Sequence, residues 1–340
     1  PDSLPPVIDI GPGSPTGVAF GYGAKFPAKY QQALFLCDWS YGYLYALHLA
    51  PDGSAYKGEK EKFLSGTPFP VTDIVVNPKD GAMYMVTGGR KVQAGLYRVT
   101  YTGSQPTAPV STELKAFAEE RALRRSLEKF HGRKDPGAVK TVWPHLGHAD
   151  RYIRFAARTA LEHQDVTTWQ EQALKETAAP ASLNALLALV RVGDKSLQPR
   201  VFDALARLQW DALTDAQKLD LLRVYGLAFI RMGKPDMAAT QKVIARFAPY
   251  YPAATRELNA ELCQVLVYLE APGVIGKTLD LLSKALTQEE QLEYIKSLRV
   301  LRSGWTIEQR KTYFAWFNKA ANYRGGASFA GFIKNIKDEA

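Results

Sequence analysis

Cysteine is scarce in this 340-residue chain: only Cys37 and Cys263 occur. Two isolated cysteines cannot build a four-cysteine zinc site, and neither lies in a C-x-x-C pair. Without C-x-x-C-H the chain cannot attach a c-type haem by itself. Cys37 falls on a strand pattern and Cys263 on an apolar helix stripe, so both read as buried free thiols. No apolar run approaches the roughly 18–20 residues that a membrane span requires, and the start, Pro1-Asp2-Ser3-Leu4-Pro5-Pro6, has no signal-peptide pattern. No block of five or six like charges occurs, and Lys and Arg are interleaved with Glu and Asp. The net charge of +9 therefore reads as a solvated, mildly basic surface, not a nucleic-acid footprint. Residues 1–110 carry 9 basic and 8 acidic side chains and the remainder 34 and 26, so the basicity belongs to the second part. No G-x-S-x-G, P-loop or strand–G-x-G-x-x-G–helix pattern is found.

What is present divides into two grammars. In Val71–Gly103 a β-branched run (Val71–Val76) is followed by the turn Asn77-Pro78-Lys79-Asp80-Gly81. A second apolar run (Met83–Val86), the break Gly88-Gly89 and an alternating third run (Gly95–Tyr101) follow, which reads as an antiparallel meander. The same order occurs earlier in Gly17–Phe20, Ala33–Cys37 and Gly42–Leu47. Val18 then corresponds to Ile74, Phe35 to Tyr84, and Leu44-Tyr45 to Leu96-Tyr97, at a spacing of roughly 50 residues, the size of a β-propeller blade. A plain meander is the alternative. Two blades do not close a propeller, which takes about four or more, so the chain is expected to be the tail of a longer parent. Asp52-Gly53 and Asp80-Gly81 signal tight turns, and Lys57–Lys62 reads as a charged, exposed loop.

From about Ser111 the period changes from two to near 3.6. The expected fold class is α+β in two segregated parts: antiparallel propeller blades over 1–103, a linker over 104–110, and an all-α, HEAT-like solenoid over 111–340, with an irregular helical bundle as alternative. Helices are expected over 113–130, from 135 to about 147, and over 150–161, 181–192, 197–208, 215–232, 235–247, 255–269, 274–286, 289–301 and 307–321, with a short one running to Ala340. Thr214/Gln217, Thr287/Glu290 and Thr306/Gln309 fit capping boxes. In the helix after Asp150, residues Ile153, Ala156, Ala157, Ala160 and Leu161 share one face. Near the end, Tyr313, Trp316, Phe317, Tyr323 and Arg324 suggest an interaction face or a core rather than a cofactor box. His145 and His148, beside Asp150, are a weak metal-site candidate.

The stretches DWSYGYLYALHLAPDG, PVTDIVVNPKDGAMYMVTGG, GLYRVTY, HGRKDP, WPHLGHADRYIRFAARTALEHQD and GWTIEQRKTYFAWFNKAANYRGGASFAGFI together resemble the large haem-binding proteins of the planctomycete–verrucomicrobial type, also labelled membrane-bound dehydrogenases. The resemblance covers essentially the whole chain. It implies a secreted propeller similar to that of glucose/sorbosone dehydrogenases, HEAT-like helices in which Asp150 and Arg154 would join ladders between units, and a cytochrome c domain beyond Ala340. It further implies a periplasmic or otherwise extracytoplasmic redox role, with partners in upstream blades, the downstream cytochrome and a redox protein. The parent's cofactors would be c-type haem and, in a sugar or alcohol dehydrogenase, pyrroloquinoline quinone (PQQ) with calcium; none is expected in this chain. Late blades of quinone enzymes offer basic residues at places that here read Asp38-Trp39-Ser40 and Pro70-Val71-Thr72, which puts quinone binding in doubt; Arg90 and Lys91 are the nearest basic candidates. Two readings result: a non-catalytic scaffold, or an enzyme part using Asp38 and Asp73 as catalytic candidates with Trp39 and Arg90 on a sugar. A stand-alone protein-binding solenoid is the third.

Overall fold

The computed structural model describes residues 2–89, 91–326 and 328–340. Seven strands come first: β1 (Pro15–Phe20), then after the one-turn helix α1 (Ala28–Gln31) β2 (Leu34–Asp38), β3 (Tyr43–Asp52), β4 (Ala55–Ser65), β5 (Val71–Val76), β6 (Met83–Gly89) and β7 (Val92–Val99). They form two antiparallel meanders, β1-β2-β3-β4 and β5-β6-β7. Alternation sends Phe35, Cys37, Leu44 and Ala46 of the first sheet, and Met83 and Met85 of the second, into one shared core, and a bulge between Val71 and Asp73 lets Val71 join Ile74 there. The pairs Phe35↔Ala46, Cys37↔Leu44 and Ile74↔Met85 set that register.

The first strands of the two sheets, β1 and β5, lie against each other. The Thr16 hydroxyl donates to the Val71 carbonyl at 3.0 Å. A Cβ on Gly17 would lie 2.3 Å from Asp73 Oδ1 and 2.5 Å from Asp73 Cα, so only glycine allows this approach. The other face of the second sheet is open: Val75, Val86 and Leu96 are 55, 39 and 70% exposed.

β4 corrects one expectation. Lys57–Lys62, read as a loop, is the middle of an eleven-residue strand paired with β3. The turn before it needs Gly53 at φ +57°. Lys62 Nζ sits 4.0 Å from the Tyr43 ring centre and Lys60 Nζ 5.4 Å from that of Tyr45, so both ammonium groups lie over tyrosine rings as cation–π contacts on an exposed strand. β4 is the terminal strand of its sheet, and alternating Lys and Glu blunt such an edge.

Helices follow: α2 (Ala118–Glu128), α3 (Ala138–Val142), α4 (Arg151–Glu162), α5 (Gln170–Lys175), α6 (Ala179–Val192), α7 (Gln198–Ala206), α8 (Asp215–Met232), α9 (Met237–Phe247), α10 (Arg256–Tyr268), α11 (Val274–Lys284), α12 (Gln288–Leu298), α13 (Ile307–Ala320) and α14 (Phe329–Glu339). α6 packs on α8, α8 on α10 and α10 on α12, a row of alternate helices, while α11 packs on both α12 and α13. Reciprocal capping boxes start α8 at Thr214/Gln217 and α13 at Thr306/Gln309. Thr287 caps α12 by accepting from Glu290 N. Among the described residues no helix is long and apolar enough to cross a membrane.

Two compact units result: residues 4–126 with 150–153, and residues 1–3, 127–149 and 154–340. This boundary differs from the expected linker at 104–110. The Gln31 side chain donates to the Thr107 and Ala108 carbonyls and accepts from Val110 N, so that stretch is held to the sheets. Most of α2 is counted there too.

Candidate functional site

The residues singled out in the sheet unit converge at one end of it, where β2 stops, β5 starts and β6 stops. Asp38 closes β2 and is completely buried. Its Oδ1 accepts from Ser14 N at 2.9 Å and Ser40 N at 3.1 Å, while Oδ2 is buried without a hydrogen-bond partner. The next residue, Trp39, is half-buried and donates from Nε1 to the Gly88 carbonyl at 2.8 Å. Asp73, on β5, is exposed; its Oδ1 accepts from its own neighbour Ile74 N at 2.8 Å. Arg90 lies outside the described residues, although Gly88 and Gly89 before it are at this end. The Cys37 thiol is pushed up to about 12, first by burial and then by the nearby Asp73 carboxylate. It is a protonated core group, not a nucleophile.

Chemically, this end offers one accessible carboxylate, one sealed carboxylate and an indole edge already committed to a backbone carbonyl. A quinone bearing several carboxylates needs cations around it. Ser14, Thr16, Asp38, Trp39, Asp73 and Gly88 offer such a group no cation; the described basic residue beside them in the sequence is Lys91, in the turn between β6 and β7. Nor do the two buried cysteines, far apart in sequence, fit covalent haem attachment. Among the described residues no group of three or more His, Cys, Asp and Glu could hold a metal. The His145 and His148 rings are 6.2 Å apart, and burial first, then His148, holds His145 below its ordinary value. Asp150 caps its own helix through Tyr152 N and accepts from Ser54 N at 2.7 Å; Arg154 donates to the His148 and Ala149 carbonyls.

For the aromatic stretch near the end of the chain, read as an interaction face or a core, burial favours the core. Tyr313, Trp316 and Phe317 are buried between helices. Tyr313 Oη donates to the Ile295 carbonyl at 3.1 Å. Trp316 Nε1 and Tyr323 Oη both donate to Gln291 Oε1, at 2.9 and 2.6 Å. Such satisfied polar tips are how large aromatic rings are accommodated in a core. Of the five, only Arg324 is exposed.

Sequence reasoning missed a groove of ≈ 770 Å³ in the helical unit, walled by Pro136, Val139, Trp143 and Pro144 and rimmed by Lys134 and Lys140. Its size suits a small-molecule site, and the Asp-Pro and Trp-Pro pairs were its only trace in the sequence. Lys134 and Lys140 share its lining with Asp135 and Asp165, whose carboxylates accept from Gly137 N and Thr167 N. No protein-family model matches the chain, and no curated protein and no solved structure matches it either.

Proposed function

We propose that this chain is a scaffold segment of an extracytoplasmic redox protein of propeller–HEAT–cytochrome c layout, in which two propeller blades and a helical solenoid position a c-type haem domain outside this sequence. The observation that carries the reading is the second sheet. One face is in the core, the other presents Val75, Val86 and Leu96 to water, and its first strand lies against the first strand of the preceding sheet. A blade inside a propeller has this arrangement, since each is covered by its neighbours. The row α6, α8, α10 and α12 supports a solenoid in the same way. Asp38, Trp39 and Asp73 all make local structural bonds, which favours positioning over catalysis.

The convergence of those three residues at one end supports a second reading, part of a sugar or alcohol dehydrogenase with its pocket on the blades. Dye-linked oxidation of aldoses and primary alcohols, with and without added pyrroloquinoline quinone and calcium, separates the two. The scaffold reading expects no dye reduction and no haem absorbance from the purified chain. Turnover that disappears in Asp73→Ala would overturn it in favour of the enzyme.

A further inference from the structure

Within the helical unit, alternate helices carry charged residues at a recurring position. Arg158 on α4, Arg191 on α6, Arg223 on α8, Glu261 on α10 and Glu293 on α12 follow one another at intervals of 33, 32, 38 and 32 residues. The three arginines gather around one residue, Asp2. Arg223 Nε lies 2.8 Å and Nη2 3.4 Å from its carboxylate oxygens, Arg191 Nη1 lies 3.6 Å from Oδ2, and Arg158 Nη2 donates to its backbone carbonyl at 2.8 Å. Glu162 locks the arrangement from below: it accepts from Arg158 Nη1 at 2.7 Å and from Arg191 Nε at 2.9 Å. The Arg158 side chain is only 3% exposed.

A chance surface pair would not show this build. Arg158 is buried at a real desolvation penalty, which holds its pKa down, and it uses one arm on a carbonyl. Reading both the side chain and the backbone of the same residue identifies an extended peptide with a carboxylate, not a free anion. Asp2 and Ser3 have no helix or strand of their own. Burial pushes the Asp2 carboxyl up, but bonding to Arg223 outweighs it and holds the group below its ordinary value. Beyond Arg223 the strip changes sign. Glu261 and Glu293 are near enough to influence each other, and Glu261 also feels Arg223 and Asp2.

We propose that Arg158, Arg191 and Arg223, continued by Glu261 and Glu293, form a docking strip for an extended peptide segment bearing an aspartate, and that Asp2 of this chain fills its basic end in cis. The strip runs across successive helices, as the peptide surfaces of helical-repeat proteins do. The inference does not depend on the redox reading. A cis segment competes with any trans ligand at high effective concentration, so removing Asp2 should open the site to an acidic peptide.

The probe is the acetylated, fluorescein-labelled peptide Asp-Ser-Leu-Pro-Pro, titrated against the full chain by fluorescence anisotropy. Asp2→Ala should bind it about tenfold tighter than the unaltered chain, through loss of the cis competitor. Arg223→Glu in the Asp2→Ala background should abolish that binding, and should instead bind the peptide with Lys in place of Asp. If Arg223→Glu does not fold, Arg191→Gln in the same background, at a half-exposed position, should weaken binding several-fold. Binding that is indifferent to these substitutions overturns the proposal, as does no binding to Asp2→Ala at about 1 mM peptide, the weak end of useful affinities.

Discussion

Gly17 and Glu162 each hold a place that no other residue fills. At Gly17 the backbone of β5 comes so near that an added methyl would meet both the carboxylate and the Cα of Asp73. Gly17→Ala should therefore force β1 and β5 apart and lower the unfolding free energy of the sheet unit by about 1–3 kcal/mol, as overpacking does. Urea denaturation followed by the near-UV signal of Trp39 checks this, and an unchanged midpoint would refute the close approach. Glu162 is only 12% exposed and lies between the guanidinium groups of Arg158 and Arg191. Glu162→Ala should leave Arg158 buried with its carboxylate partner gone, at about 3–5 kcal/mol. Glu162→Gln, which keeps an acceptor, should be milder. Equal losses from the two would mean that packing, not charge, is at stake. Asp38 came into view through the resemblance, by way of the stretch Asp38-Trp39-Ser40, and Asp73 through its place next to Thr72 near the start of β5. That Asp38 would be sealed, with one oxygen spent on Ser14 and Ser40, was not legible, since neither serine is part of its strand pattern.

Elements with chemical punctuation were read nearly to the residue. α8 runs over Asp215–Met232 as expected, because Thr214/Gln217 closes its start and Gly233, at φ +101°, its end. Thr214→Ala should cost about 1 kcal/mol in the helical unit by thermal unfolding, the usual worth of such a cap. What escaped reading lacked periodicity. The six-residue helix α5 is too short for a stripe, and β4 hides its strand character in alternating Lys and Glu, of which Lys60 and Lys62 lie over tyrosine rings. The arginine strip was invisible for a different reason: its members recur once per pair of helices, a spacing that no local window spans. The open sheet face leads to a prediction of its own. Val86 and Leu96 are cross-strand partners and both exposed, so Leu96→Glu should change stability by no more than about 0.5 kcal/mol. It should also reduce concentration-dependent self-association in sedimentation velocity, as expected when an apolar flank is broken by charge. A large loss of stability would show that this face is covered within the chain.

For the whole molecule, acidity separates the two units. In the sheet unit Glu61 and Asp150 are held below their ordinary values. Burial raises both, but bonds to His48, Tyr30 and Lys29 outweigh it at Glu61, and backbone and side-chain bonds from Ser54 do so at Asp150. Depressed carboxyls stabilise above their unfolded pKa and lose that contribution as pH falls through the folded value. The sheet unit should accordingly hold its stability from pH 7 to about 4.5, near the unfolded carboxyl values, and then lose it. The helical unit has the same loss in store through Asp2 and Glu176, but it also contains Glu261, raised chiefly by burial and further by Glu293 and Asp2 against the opposing pull of Arg223. A raised carboxyl works in the opposite sense: the folded state takes up the proton first, so stability grows as pH falls from the raised folded value towards 4.5. Helical-unit stability should thus pass through a maximum at mildly acidic pH. Five of the six tryptophans lie in that unit, so guanidinium denaturation at pH 7, 6, 5, 4 and 3 read by tryptophan fluorescence reports mainly on it. Glu261→Gln should raise stability at pH 7 and remove the maximum, leaving only the acid loss. A monotonic decline from pH 7 in the unaltered chain would mean that Glu261 keeps an ordinary affinity for its proton, and the acidic end of the strip would then be open to water.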